Sequence, residues 1–351
     1  MAAQPARIHQ DSLAEVVQLV PLRSDNDPAV LRLHRFAVVC AAATFILIFV
    51  GGLVTSTGSA LAVPDWPLAF GKLIPPLIGG IRFEWGHRVV AGTVSILTLI
   101  LALWTWQRES RRWVRLTAFA AFALIILQAV LGGLTVLMLL PLPLAVAHAA
   151  TAQAFFCLMI AMVLFTHPGF GKPTDDRADR LSDKGLPLTS LAVITTVTIY
   201  TQILIGAVMR HLGAGLVIPD FPTSYGRLIP PFYSFAVDIN FAHRCGALVV
   251  TVLVCWTCAR VIRLDSAERS LRNNAILLVV LLAIQITLGA LTIWSGRAVL
   301  PTTAHVTIGA AVLGASLALT IRVYELKARP KLARIPGIAS IPSSLQRQVS
   351  A

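Results

Sequence analysis

Between Arg35 and Asp65 no residue carries a charge, and six further windows behave the same way: 89–107, 116–171, 185–209, 245–259, 273–296 and 298–321. A helix needs about 20 apolar residues to cross the hydrocarbon layer of a bilayer. Inside that layer every backbone amide must be bonded within the protein, so helices are the natural solution for such windows. The stretch 116–171 is long enough for two spans and is divided by the turn Pro141-Leu142-Pro143. The chain therefore reads as all-α and polytopic, with eight transmembrane helices near 36–55, 86–107, 115–137, 143–166, 187–209, 240–261, 273–294 and 301–322. The sixth has a short uncharged centre, so Arg244 and Arg260 must snorkel outward. A composition 56% hydrophobic and 13% charged agrees with this class and excludes an ordinary soluble domain.

Basic residues orient the spans. With the N-terminus inside, the inner segments collect Arg7, Arg23, Arg32 and Arg35, then four basic residues in 108–115, four in 172–184, four in 260–272 and six from Arg322 onward. The remaining seven (Lys72, Arg82, Arg88, Arg210, Arg227, Arg244, Arg297) fall at the outer side. The net charge of +13 thus reflects topology and attraction to anionic membrane lipid, not nucleic-acid binding. Polar tails at 1–35 and 323–351 are expected to be cytoplasmic and disordered, and no secretory leader is expected. All five cysteines fall in helices, so no outer disulfide is expected, and Cys255 and Cys258 read as packing.

The sequence is duplicated. Residues 63–76 read VPDWPLAFGKLIPP and residues 218–231 read IPDFPTSYGRLIPP, with eight of fourteen positions identical. At offsets of 155–157 Gly58 falls over Gly213, Gln128 over Gln285 and Gly132 over Gly289. Four helices per half is an even number, so both halves keep one orientation. The expected architecture is two four-helix bundles, 36–166 and 187–322, related by a pseudo-twofold axis along the membrane normal and joined by a cytoplasmic linker at 167–186. In the repeated loops the prolines fix φ and Asp65 or Asp220 can bond nearby amides, which makes rigid turns suited to cover the end of each bundle.

Histidine opens every even-numbered helix: His87, His148, His243 and His305. Ionisable side chains in membrane spans mark function by default, and four that repeat with the duplication are hard to explain as boundary residues. One helical turn after each stands a small residue, Ala91, Ala152, Ala247 or Gly309. Two facing imidazoles beside cleared walls suit bis-histidine ligation of haem iron better than zinc, which wants three or four converging ligands. Arg88 and Arg244 follow the outer histidines and are candidate partners for haem propionates. His9, His34, His167 and His211 lack a histidine at the repeat position and read as boundary or tail residues. Three residues before His87 stands Glu84, whereas three before His243 stands Asn240. A carboxylate beside one iron site and an amide beside the other suggests one reactive pocket and one electron-transfer pocket.

The segments GGLVTSTGSALAVPDWPL, EWGHR (84–88), QAVLGGLTV, AHR (242–244) and TTAHVTIGA (302–310), with the His148 helix, closely resemble the haem A synthase family over about 36–322. The resemblance implies an oxidoreductase that converts the C8 methyl of haem O to the formyl of haem A by successive hydroxylations, with water as oxygen source. It implies substrate haem on His87 and His148, a catalytic Glu84, and a haem b cofactor on His243 and His305. It also implies a cell-membrane location with the haem sites toward the outer face, supply by a haem O synthase, contact with terminal oxidase assembly factors, and a quinone as candidate electron acceptor. Some family members carry a cysteine pair in the first outer loop, and 56–83 has none. The competing readings are a non-catalytic bis-histidine cytochrome b fed by quinol and, third, a duplicated transporter. Glu84 separates the first two, and bound haem separates both from the last.

Overall fold

The computed structural model describes residues 28–171, 185–264 and 269–328. The expected disorder of the outer parts of both tails, and most of the linker, lie outside these residues, as does His9. Among these residues there are eight long helices: α1 (Pro28–Ser56), α2 (Ile81–Arg108), α3 (Arg112–Leu137), α4 (Leu142–Thr166), α5 (Leu188–His211), α6 (Phe235–Ile262), α7 (Arg269–Trp294) and α8 (Val299–Ala328). Each is long and apolar enough to cross a membrane. No strand occurs among the described residues. The architecture is that of an all-α, multi-pass membrane protein.

Seven of the eight helices begin earlier than the expected spans. The first starts at Pro28, inside the expected tail, and α8 runs on to Ala328. Charge ends a hydrophobic window but not a helix, because arginine has good helical propensity and its guanidinium reaches water from the end turns. True ends follow backbone chemistry. Gly58 and Gly213, just past α1 and α5, have φ of 67° and 69°, the left-handed conformation that closes a helix without a Cβ clash. Ser234 caps α6 by accepting from the Val237 amide.

Two cores form. One joins Leu33, Leu101, Ile125, Phe155 and Met159 from α1–α4, the other Leu191's helix neighbours Ala192 and Ile199 with Val254, Leu278 and Leu313 from α5–α8. In each half the four helices close a ring of neighbours, and α1, α4, α5 and α8 form the seam between halves. With no hydrophobic drive in lipid, the seam relies on close approach and hydroxyl bonds. A Cβ at Gly52 of α1 would stand 3.2 Å from Thr303 Cγ2 of α8, and one at Gly314 of α8 would stand 3.0 Å from the Phe156 ring of α4. Thr303 Oγ1 donates to Ser56 Oγ at 2.9 Å, and Tyr200 Oη donates to the Ala150 carbonyl at 2.9 Å.

Candidate functional site: two pairs of histidines under repeated loops

His87, His148, His243 and His305 all lie in the first three turns of their helices, at one end of the molecule, and all are partly buried. Each is backed by a glycine of the preceding helix. A Cβ built on Gly51, Gly132, Gly206 or Gly289 would stand 3.1, 2.9, 2.8 or 3.1 Å from Cε1 of His87, His148, His243 or His305 respectively. Real Cβ contacts are rarely so short, so only glycine lets each imidazole lie against its neighbouring backbone. The ring is thereby held against the preceding helix on one edge.

In the second half the rings of His243 and His305 have centroids 6.5 Å apart at an interplanar angle of 74°. Two imidazole nitrogens each about 2 Å from one metal put their ring centroids roughly 6 Å apart, so this spacing fits one shared iron. His305 Nδ1 donates to the Gln285 backbone carbonyl at 3.1 Å, which leaves the lone pair on Nε2, as a metal-ligating histidine requires. In the first half His87 and His148 are electrostatic neighbours, and the Nδ1 of each is buried without a hydrogen-bond partner. Among the described residues no three His, Cys, Asp or Glu side chains converge on a point that could hold a compact metal ion. Paired imidazoles, glycine cradles and unpaired ring nitrogens fit a bis-histidine haem.

Three glutamines escaped the sequence reading as imidazole partners. Gln128 Nε2 lies 3.2 Å from His148 Nε2, Gln285 Nε2 lies 3.5 Å from His305 Nε2, and Gln202 Nε2 lies 3.0 Å from His243 Nδ1 while donating to the His243 carbonyl at 2.7 Å. The repeat signal pointed to the pair Gln128 and Gln285. Gln202 has no counterpart, since Leu47 stands at its place in α1. Gly309, expected to clear a wall for a ligand, instead clears room for the Gln285 amide, 3.1 Å from a Cβ built there.

The two loops are held by the arginines that follow the outer histidines. Arg88 donates to the carbonyls of Val63, Asp65 and Leu68 and to Glu84 Oε1, at 2.7–3.1 Å. Arg244 donates to the carbonyls of Ile218, Asp220 and Thr223 and to Asn240 Oδ1, at 2.7–3.1 Å. The acceptors match position for position, so both guanidiniums tie a loop to the histidine helix. Within each loop the aspartate closes the turn: Asp65 accepts from the amides of Phe70 and Gly71, and Asp220 from those of Tyr225 and Gly226. These bonds hold the Asp65 carboxyl below its ordinary range and bring Asp220 down to about 2, where the Thr223 hydroxyl also contributes. Trp66 lies across α3, where a Cβ on Gly133 would meet its indole at 2.5 Å, one residue from the glycine behind His148.

Glu84 and Asn240 are both buried and both stitch a loop to its helix, with opposite chemistry. Glu84 Oε2 accepts from the Val63 amide at 2.9 Å, whereas Asn240 Nδ2 donates to the Ala214 carbonyl at 2.8 Å. Glu84 and Arg88 also form a salt bridge at 2.7 Å. His34 and His167, read as boundary residues, meet edge to face at 5.1 Å at the opposite end of the first bundle.

The family model described as "Cytochrome oxidase assembly protein" (COX15-CtaA) matches residues 34–78 and 81–317. The chain is 31% identical over 270 residues to the heme A synthase of Symbiobacterium thermophilum, covering 74% of this chain and 85% of that one. It is 32% identical over 278 residues to the heme A synthase of Halalkalibacterium halodurans, covering 76% and 89%. To that of Alkalihalophilus pseudofirmus it is 32% identical over 238 residues, covering 65% and 77%. With the paired histidines and the repeated loops, these matches make the chain a member of the haem A synthase family of cytochrome oxidase assembly proteins.

Proposed function

We propose that this protein oxidises the C8 methyl of haem O to the formyl of haem A, with haem O held between His87 and His148 and a haem b cofactor between His243 and His305. Balanced, a methyl and one water give a formyl, four protons and four electrons. Bound haem supplies the redox chemistry through which those electrons leave, toward a quinone-class acceptor. The residues supply position and proton handling. The glycine-backed histidines fix the ring of each haem, and the loop carrying Trp66 covers the first site and limits water.

The observation that carries the reading is the exchange of Glu84 for Asn240 at positions whose arginine partner, Arg88 or Arg244, is the same. Each oxidation at the methyl carbon breaks a C–H bond, gives up two electrons and releases protons as water oxygen is bonded in its place; a carboxylate can take such a proton, and an amide cannot. Arg88 on Oε1 and the Val63 amide on Oε2 hold that carboxylate in one geometry. A proton on Oε1 would weaken the Arg88 bond and loosen the loop above the site. Both termini on the cytoplasmic side of the cell membrane, with the histidines toward the outer face, follow from the basic residues of the inner segments. Haem O arriving from a haem O synthase and haem A leaving toward oxidase assembly factors would then exchange within the bilayer.

The test is co-expression with a haem O source, followed by haem extraction and mass analysis. Haem A or its hydroxylated intermediate is expected from the wild type. Glu84→Gln is expected to retain haem but form neither product. Recovery of haem b alone from the wild type would replace this reading with an electron-transferring cytochrome.

A further inference from the structure

Arg210, in the last turn of α5, stands in the seam between the two halves. Its Nη2 donates to Ser56 Oγ at 2.9 Å and to the Gly52 carbonyl at 3.3 Å, both on α1, and Gly52 adjoins the glycine behind His87. Its Nε is buried without a hydrogen-bond partner. Among the described residues no carboxylate pairs with it. Its charged neighbour is another cation, Arg297, and it is itself an electrostatic neighbour of His305. Arg297 lies on the turn between α7 and α8 at φ 66°, its Cδ 3.7 Å from a Cβ built on Gly215. A guanidinium nitrogen buried without an acceptor, with a second guanidinium as its electrostatic neighbour, is an arrangement that an anion relieves.

The first half lacks this feature although its backbone is the same. Thr55 stands at the place of Arg210. Leu140, at φ 60°, stands at the place of Arg297. Arg88 and Arg244 have four N–H bonds each committed to loop and helix, so the cations beside the histidines are largely spent on structure.

We propose that Arg210 and Arg297 form a carboxylate site beside His305, filled by a propionate of the haem held between His243 and His305. The proposal rests on the haem-binding reading above and adds to it which residues take the acidic edge of the second haem. A guanidinium matches a carboxylate with two parallel N–H bonds, and Arg210 has its Nε free for one of them. A lipid phosphate offers the same chemistry, but Arg210 is tied into the seam, bonded to Ser56 of α1, which in turn accepts from the Thr303 hydroxyl of α8.

The experiment uses the purified full chain in a His87→Ala background, so that the second pair dominates the spectrum. Haem b and its dimethyl ester, in which both propionates are blocked, are the probes. Arg210→Gln is expected to weaken haem b binding by roughly 10- to 100-fold, the range for a lost charged hydrogen bond, and to shift the midpoint potential downward. Arg210→Lys and Arg297→Gln are expected to fall between it and the parent. The ester is expected to bind the parent as weakly as haem b binds Arg210→Gln, and to ignore the substitution. Equal haem b affinity and potential in parent and Arg210→Gln would overturn the proposal. So would an equal loss for haem b and ester, which would assign Arg210 to packing or to a lipid phosphate. A parent that holds neither probe would overturn the haem reading itself, and this site with it.

Discussion

Gly206→Ala tests the cradle behind the histidines most sharply. The new methyl would stand 2.8 Å from His243 Cε1, and ordinary contact begins at 3.4 Å, so ring or helix must give by about 0.6 Å. Metal-ligand distances tolerate about 0.2 Å, so a ring pushed that far could no longer serve an iron shared with His305, as the proposed function requires. Overpacking costs about 1–3 kcal/mol, while exchanging glycine for alanine in a helix returns up to about 1 kcal/mol. Global stability should therefore fall by about 0–3 kcal/mol while the geometry around His243 changes. The assay is the absorption spectrum and haem-to-protein ratio of the purified protein. Loss of the low-spin bis-imidazole signal from one of two haems is expected with an unchanged helical circular dichroism spectrum. Gly132→Ala at 2.9 Å should act similarly on the first site, with Gly51→Ala and Gly289→Ala at 3.1 Å milder. Gly92→Ala, with nothing within 4 Å, is the neutral control. A wild-type spectrum from Gly206→Ala, or an equal loss from Gly92→Ala, would refute the cradle.

Gln202→Leu copies the first half, where Leu47 stands, and removes the amide from His243 Nδ1. It should shift the midpoint potential of the second haem and leave the first unchanged, as read by potentiometric titration with two resolved components. Asp220 gives a pH prediction. Its carboxyl is lowered to about 2, so its contribution is complete above the unfolded value of about 4 and is lost as pH falls toward 2. Fluorescence of Trp294, whose Nε1 donates to the Phe221 carbonyl, should report this opening in that window. In Asp220→Asn the loop signal should already be altered at neutral pH.

The eight spans, the duplication and the four histidines are legible because each rests on residue type along the chain. Uncharged length marks a span, and repeated histidine at repeated depth marks a pair. Helix ends are less legible, since α1 passes Arg32 and Arg35 without breaking. What Arg88 and Arg244 hold could not be read from adjacency to histidine, because their acceptors are loop carbonyls some 20 residues back. Carbonyls carry no residue signature. The same holds for the glycines behind the imidazoles, which share apolar segments with other glycines such as Gly133, whose neighbour is Trp66.

The repeat and its exceptions together locate where the two histidine sites of one scaffold differ. The parts that match are those that place a ring: the glycine behind each histidine, the aspartate-closed loop, and the arginine that ties the loop to its helix. The parts that differ carry charge or hydrogen-bonding capacity near the histidines: Glu84 against Asn240, Leu47 against Gln202, Thr55 against Arg210 and Leu140 against Arg297. Each exchange alters the electrostatics without requiring a new backbone, as the shared left-handed φ at Leu140 and Arg297 illustrates. The first half gains a carboxylate and lacks the two cations, which suits proton removal. The second half gains cations and an amide, which under the proposed function would favour the reduced state of an iron held there and suit it to accept electrons from the first.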